Sequence, residues 1–211
     1  MLDAEKVPPV FHPIEKVGLD LGVKCLATVS DKTTYEMPAT TKIAKTKLSR
    51  LQWRNRNQVQ GNRKTKIRQS NKAGRSHVKV ARLYARIANI RQDTIHKMTT
   101  DLSKRAYRIR IEDLNVSGML ANHKLANAVS NNCFYEIRRQ LVYKQAHYGT
   151  KVEIVDRWYP SSKTCCKCGN IQSIPLSERI YRCSHCHQIL DRDLNAATNL
   201  ENAPEHLVRL A

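Results

Sequence analysis

Two Cys-x-x-Cys pairs stand fourteen residues apart in the last quarter of the chain, Cys165/Cys168 and Cys183/Cys186. A Cys-x-x-Cys turn lets two thiolates converge on one ion, and a second pair completes a tetrahedral sulfur site. Fourteen residues are enough for a hairpin or short loop to bring the pairs together. The spacing therefore predicts a small zinc ribbon over residues 161–187, holding one Zn²⁺. Cys166 sits beside Cys165, and His185 and His187 flank Cys186, so each competes as a ligand. Two disulfides are the rival arrangement. Nothing else in the chain suggests secretion, and the leftover thiols Cys25, Cys133 and Cys166 fit a reducing compartment, here the cytoplasm.

The net charge is +19, and it is concentrated. Residues 42–110 hold 21 Lys or Arg against two acids, Asp93 and Asp101, an excess equal to that of the whole chain. A run of charge is usually a solvated face, but an excess this local points to a polyanion, most simply nucleic acid. Arg54, Arg56, Arg63, Lys64, Arg75, Lys79, Arg82 and Arg86 are the candidate contacts. No apolar run approaches the ~18–20 residues that span a bilayer, so no membrane partner is expected. The start, MLDAEKVPPVFHP, has neither the basic start nor the apolar centre of a signal peptide.

In chain order, residues 1–16 read as a proline-interrupted lead-in. Val17–Val23 reads as a buried strand with Asp20 at its middle, followed by short strands at Cys25–Ser30 and Thr33–Met37. Thr40 to about Gln60 is a basic helix with Ile43, Leu48 and Leu51 as a weak apolar face. Gly61–Ser76 is a loop. Val80, Leu83, Tyr84, Ile87, Ile90, Ile95, Met98 and Leu102 form the apolar stripe of a long helix, with Arg82, Arg86, Asn89, Asp93 and His96 opposite. Tyr107–Leu114 alternates strictly and ends in two acids. Residues 115–132 read as a loop, Cys133–Tyr148 as a helix and Lys151–Val155 as a strand. After the ribbon, Asp191 opens an Ala-rich helix that it caps.

Three acids stand out in this order: Asp20 in a strand, Glu112 at a strand end and Asp193 at a helix start. An unpaired Asp in a buried strand costs several kcal/mol, at about that order of magnitude, so Asp20 is the hardest to dismiss. Glu112 alone reads as a solvent-facing acid and Asp193 alone as a cap. Together they fit an RNase H-like α/β sheet, in which the first and fourth strands are neighbours and the last helix packs beside them. Three crowded carboxylates need cations, and two Mg²⁺ ions would neutralise them and activate water for phosphodiester cleavage.

The stretches VGLDLGVKCLATVSD, ARLYARIANIRQDTIHKMTTDL, RIRIEDLNVSGML, YPSSKTCCKCG and YRCSHCHQILDRDLNAATNL occur in the order found in TnpB-type (OrfB) proteins. From about residue 17 to 200 the chain resembles the C-terminal half of that transposon-encoded group, which is related to type V CRISPR effectors. The resemblance implies a split RuvC-like nuclease domain over 17–160 and 188–211. It also implies a basic helical insertion at 42–105 and a zinc ribbon before the third motif. It implies that Asp20, Glu112 and Asp193 are the catalytic acids and hold Mg²⁺, Asp193 being preferred to Asp191 because it lies two residues before Asn195. It matches Cys165, Cys168, Cys183 and Cys186 to the ribbon's ligands.

The implied function is a DNA endonuclease guided by an RNA and associated with transposition. The family's other half, which helps bind guide and target, is not among these motifs; a natural short form, a decayed copy or a shortened piece of a longer protein would each account for that, and a separate chain is one candidate source of that half. Two other readings compete: a non-cleaving nucleic-acid binder that keeps the basic helices and ribbon, and a junction-resolving nuclease. The three acids argue against the first, because a binder gains nothing from carboxylates beside a polyanion. The ribbon and the long insertion argue against the second.

Overall fold

Strand β1 (Ile14–Asp20) lies parallel to β4 (Ala106–Glu112), with Ile14 opposite Ala106 and Leu19 opposite Ile111. β4 in turn lies parallel to β5 (Lys151–Val155), with Glu112 opposite Val155. On the other side of β1, β2 (Ala27–Val29) and β3 (Thr34–Tyr35) add antiparallel, turning back at Lys32, which takes a positive φ of 72°. The Asp31 carboxylate holds this turn by accepting from the Thr33 N–H at 2.8 Å. A last strand, β8 (Val208–Leu210), closes the far edge against β5. The six-stranded order β3-β2-β1-β4-β5-β8 is the expected RNase H-like mixed sheet, extended by one antiparallel strand. The computed structural model describes residues 11–22, 25–62, 64–121, 133–175 and 177–211.

The helices are α1 (Ala39–Arg54), α2 (Asn71–Arg105), α3 (Val116–Ala121), α4 (Phe134–Tyr148) and α5 (Arg192–Glu201). The hairpin β6 (Ile180–Arg182) and β7 (Ile189–Asp191) precedes α5. The chain divides into two units, Met37–Thr94 and the remainder, α2 contributing to both. Within the smaller unit, Ala44 and Leu48 of α1 pack on Ile87, Val80 and Leu83 of α2. Ile43, read as part of the α1 apolar face, is exposed instead.

In the larger unit, alternation assigns the sheet's two faces. Val17, Leu19, Ile109, Ile111, Val152 and Ile154 share one face and are buried. α4 is joined to α2 by hydrogen bonds from Lys144 Nζ to the Thr99 and Thr100 hydroxyls and the His96 carbonyl, at 2.6, 2.7 and 2.9 Å. Gly18, Asp20, Arg110, Glu112 and Glu153 share the opposite face, beside α5. There Gly18 leaves no room for a side chain. A methyl at its Cα would stand 1.9 Å from the Ala197 carbonyl oxygen and 2.5 Å from the Glu201 nitrogen, so strand and helix meet main chain to main chain.

Several boundaries differ from the sequence reading. β1 begins at Ile14, not Val17, and ends at Asp20, so Asp20 is a strand-end residue and not a mid-strand one. The pairings explain the shift, since the β4 ladder starts at Ile14–Ala106 and the last paired residue is Asp20, opposite Thr28 of β2. α1 stops at Arg54, before the expected Gln60. α2 begins at Asn71, inside the expected loop, because the Ser70 hydroxyl accepts from the Ala73 N–H at 3.2 Å and Ala73 is buried. The expected loop after β4 contains α3, whose Gly118 N–H donates to Asn115 Oδ1 at 3.0 Å; residues 122–132 of that loop lie outside the described residues. The strand β8 has no counterpart in the sequence reading. Among the described residues, no helix is long and apolar enough to cross a membrane.

Candidate active site and metal centre

Asp20 and Glu112 end adjacent parallel strands, one step past the paired Leu19 and Ile111. Asp193 lies in the first turn of α5, the helix that rests on β1 at Gly18. Residues from three distant stretches thus line one cavity of about 630 Å³, together with Arg157, Trp158, Lys163, Arg179 and Arg192. Burial, then the nearby Asp193 and Glu112 carboxylates, push the Asp20 pKa up to about 7. Burial, with Asp113 next to it, also raises Glu112. A cavity walled by three carboxylates is a hard-oxygen donor set, which suits Mg²⁺. Asp191 has a different task. Its Oδ1 accepts from the Asp193 and Leu194 N–H groups at 2.9 and 3.1 Å, so it caps α5, as its position before the helix predicted.

The four ribbon cysteines converge. Their Sγ atoms all lie within 4.8 Å of one another, with Cys165–Cys186 and Cys168–Cys183 each at 3.6 Å. Tetrahedral zinc with Zn–S arms of about 2.3 Å needs S–S edges of about 3.8 Å, so the cluster has the size of one Zn²⁺. Backbone geometry repeats in the two turns. The Gly169 N–H donates to Cys165 O and the His187 N–H to Cys183 O, at 2.9 and 3.1 Å. Gly169 and His187 both take positive φ, 73° and 56°. His187 therefore occupies the second turn's glycine-like position, and among the described residues neither His185, His187 nor Cys166 joins the sulfur cluster. The N–H of Cys186 is the largest influence lowering the Cys183 thiol, while Cys168 beside it is raised, so these neighbouring sulfurs do not ionise independently. Tyr181, fully buried, packs against Cys165 and Cys183.

The ribbon is fastened to α5 by two buried asparagines. Asn195 Nδ2 donates to Thr164 O at 2.7 Å, and Asn195 Oδ1 accepts from the Cys166 N–H at 3.0 Å. Asn199 Nδ2 donates to Ser161 O and Thr164 O at 2.7 and 2.6 Å. Sequence reasoning used Asn195 only to place Asp193. Its spacing from Asn199, one helical turn, was the available sign that both face the same neighbour.

The candidate nucleic-acid residues lie on the smaller unit. Arg54, Arg56, Lys64, Arg75, Lys79, Arg82 and Arg86 are all exposed, and Arg63 lies outside the described residues. Arg54, Lys79 and Arg82 line one groove with Lys47, Arg50, Leu51 and Leu83. Arg56 lies outside that lining and stacks over the exposed Trp53 at 4.0 Å. Lys47 and Arg50 were not singled out from sequence, because the helical register that aims them toward the groove depends on the α1–α2 packing.

Comparison with known proteins adds the family. The profile OrfB_IS605, described as "Probable transposase", matches residues 2–123. The chain belongs to the OrfB (IS605) family. A second profile, "Cas12f1-like, TNB domain", matches residues 134–200 of this OrfB-family chain, the span that holds α4, the ribbon and most of α5. A protein of Streptomyces pristinaespiralis named "Putative RNA-guided DNA endonuclease" is 36% identical over 201 residues, covering 95% of this chain and 48% of the relative. The CRISPR-associated endodeoxyribonuclease Cas12f1 of Sulfoacidibacillus thermotolerans is 28% identical over 199 residues, covering 87% of this chain and 44% of that protein. Among solved structures, a Cas12f1–sgRNA–target DNA complex matches with a TM-score of 0.60 at 16% identity, over 92% of this chain and 51% of that one, which shows the fold. The OrfB-family chain spans about half the length of these relatives.

Proposed function

We propose that this chain is the RuvC-like nuclease half of an RNA-guided DNA endonuclease of the TnpB type, associated with DNA transposition. The observation that carries the reading is the meeting of Asp20, Glu112 and Asp193 on one cavity wall. Asp20, Glu112 and Asp193 would hold two Mg²⁺ ions, which when bound neutralise the three carboxylates and lower the pKa of an attacking water. The chain's own residues do the rest. β1 and β4 fix the spacing of Asp20 and Glu112, and α5 sets Asp193 against them. Lys163 lines the same cavity and offers a cation to a phosphodiester, while Arg179 Nη1 stands 3.8 Å from Asp193 Oδ1. The cysteine cluster would hold one structural Zn²⁺, and the basic groove of the smaller unit would hold the backbone of a guide RNA or its DNA target.

The test is DNA cleavage in Mg²⁺, with a full-length relative whose own nuclease acids are substituted and its guide present, comparing wild type with Asp20→Asn. Mg²⁺-dependent cutting by wild type, reduced by orders of magnitude in the variant, supports the reading. Equal cutting by both overturns the assigned site, and cutting by neither favours a non-cleaving binder.

A further inference from the structure

The first turn of α5 carries Asp193, and the ribbon holds this turn. Asn195 is fully buried, and its side-chain amide brackets the first ribbon cysteine. Its Nδ2 donates to the carbonyl just before Cys165, that of Thr164, at 2.7 Å. Its Oδ1 accepts from the N–H just after Cys165, that of Cys166, at 3.0 Å. Arg192 ties the same turn to the loop between the two cysteine pairs. Its Nη1 donates to the carbonyls of Pro175 and Glu178 at 3.0 and 3.4 Å, and its backbone N–H donates to Arg179 O at 2.8 Å. Asp193 stands between these two ties, one residue after Arg192 and two before Asn195.

The rest of α5 is held differently. Ala197 and Glu201 meet β1 at Gly18, which sets the separation of helix and strand. The turn beyond that contact is aimed by the groups it bonds to, and these are main-chain groups of the ribbon. They keep fixed positions only while the ribbon is folded. A module this small, with Cys165, Tyr181 and Cys183 as its buried cluster, folds with its metal. A buried amide stripped of its partners is costly, so the turn follows the ribbon.

We propose that zinc in the ribbon sets the position of Asp193, and through it the affinity of the acid-lined cavity for a divalent cation, with Asn195 as the positioning residue that carries the link. The link runs both ways. A zinc-filled ribbon aims Asp193 at Asp20 and Glu112, and a cation held by the three acids steadies the ribbon in return. The link rests on both metal readings above, and the measurements separate it from them.

Mn²⁺ is the probe, its free fraction counted by electron paramagnetic resonance, with the Asp20→Asn chain as the blank. Binding to the zinc-loaded chain is compared with binding after zinc is withdrawn by a chelator under reducing conditions and the chelator is dialysed away. Zinc removal is expected to weaken Mn²⁺ binding about tenfold. Asn195→Ala is expected to keep its zinc by metal analysis, yet to bind Mn²⁺ as weakly as the zinc-free wild type. A bond that only stabilises the fold would lower the melting temperature and leave the Mn²⁺ dissociation constant alone. That result, or equal Mn²⁺ affinity with and without zinc in wild type, overturns the link. Where Asn195→Ala does not hold zinc, the wild-type comparison decides. Amide exchange gives a readout that needs no Mn²⁺. Zinc removal is expected to speed exchange at residues 193–196 while Leu19 and Ile111 stay protected, and exchange indifferent to zinc overturns the positioning of Asp193. A chain that takes up no Mn²⁺ in any form refutes the cavity as a cation site, and the exchange at α5 then decides the positioning by itself. A chain that binds no zinc overturns the ribbon reading and the link together.

Discussion

Asp20 and Glu112 stand side by side at the carboxyl ends of two parallel strands, one residue beyond the paired Leu19 and Ile111. Neither can be re-aimed without breaking that ladder, whereas Asp191, the cap of α5, is engaged only with backbone N–H groups. Asp20→Asn and Glu112→Gln are therefore expected to abolish Mg²⁺-dependent cutting. Asp191→Asn, which still accepts at the cap, is expected to stay within about tenfold of wild type. Cleavage rates of the three variants side by side check this order, and a loss in Asp191→Asn as large as in Asp20→Asn would contradict it.

The close approach at Gly18 predicts a stability effect. In Gly18→Ala the new methyl meets main-chain atoms of Ala197 and Glu201, which cannot rotate away as a side chain would. The expected loss is about 3 kcal/mol or more, the upper range for overpacking. Urea unfolding of both proteins measures it, and a loss below about 1 kcal/mol would show that α5 can lift without cost.

For the ribbon, Cys183→Ser is expected to lose zinc and the fold of residues 161–187, since binding and folding are coupled in such small modules. His187→Gly should keep the ion and gain slightly in stability, because glycine relieves the positive φ. Zinc content by metal analysis decides both. A histidine variant that loses its ion would make His187 a ligand after all.

The groove on the smaller unit predicts a salt effect. Lys79→Gln and Arg82→Gln together should lower the slope of log affinity against log salt by about two, one for each phosphate no longer neutralised. Filter binding of DNA across a salt series is the measurement. An unchanged slope would place both side chains in bulk solvent with no phosphate partner.

Lys144 predicts a pH effect of unusual sign. It is buried, its acceptors are two hydroxyls and a carbonyl, and burial pushes its pKa from 10.5 down to about 8. Between pH 8 and about 10 the unfolded chain therefore holds a proton that the native chain has released, and stability rises with pH across that window. Lys144→Met should flatten the rise. Thermal unfolding at pH 7, 8 and 9.5 shows it, and identical pH profiles for wild type and variant would refute it.

Local signals made much of this molecule readable. The cysteine spacing survives any detail of the ribbon, and α4 and β5 were legible because their patterns are short-range. What escaped reading depends on distant partners. Asp20 looked central to its strand because apolar residues continue after it, but the β4 ladder stops at Leu19 and the last pairing of β1 is Asp20 with Thr28 of β2. Arg110 occupies the polar side of an alternating strand. There the C-terminal segment covers it, and it bonds to Glu153, Glu205 and the carbonyls of Glu201 and Ala203. β8 is three residues long and exists only by pairing with β5. Arg138, Arg157 and Arg209, which all donate to the Asp113 carboxylate, lie 25, 44 and 96 residues from it along the chain, beyond the reach of any local pattern.

The contact at Gly18 also bears on how such a protein tolerates change. Where helix and strand are separated by side chains, each core substitution resets their distance a little. Here the ruler between Asp20 and Asp193 is made of peptide groups, whose dimensions do not vary with sequence. The rest of the core can drift in composition while the gap between the carboxylates stays the same, provided one position in β1 remains without a side chain.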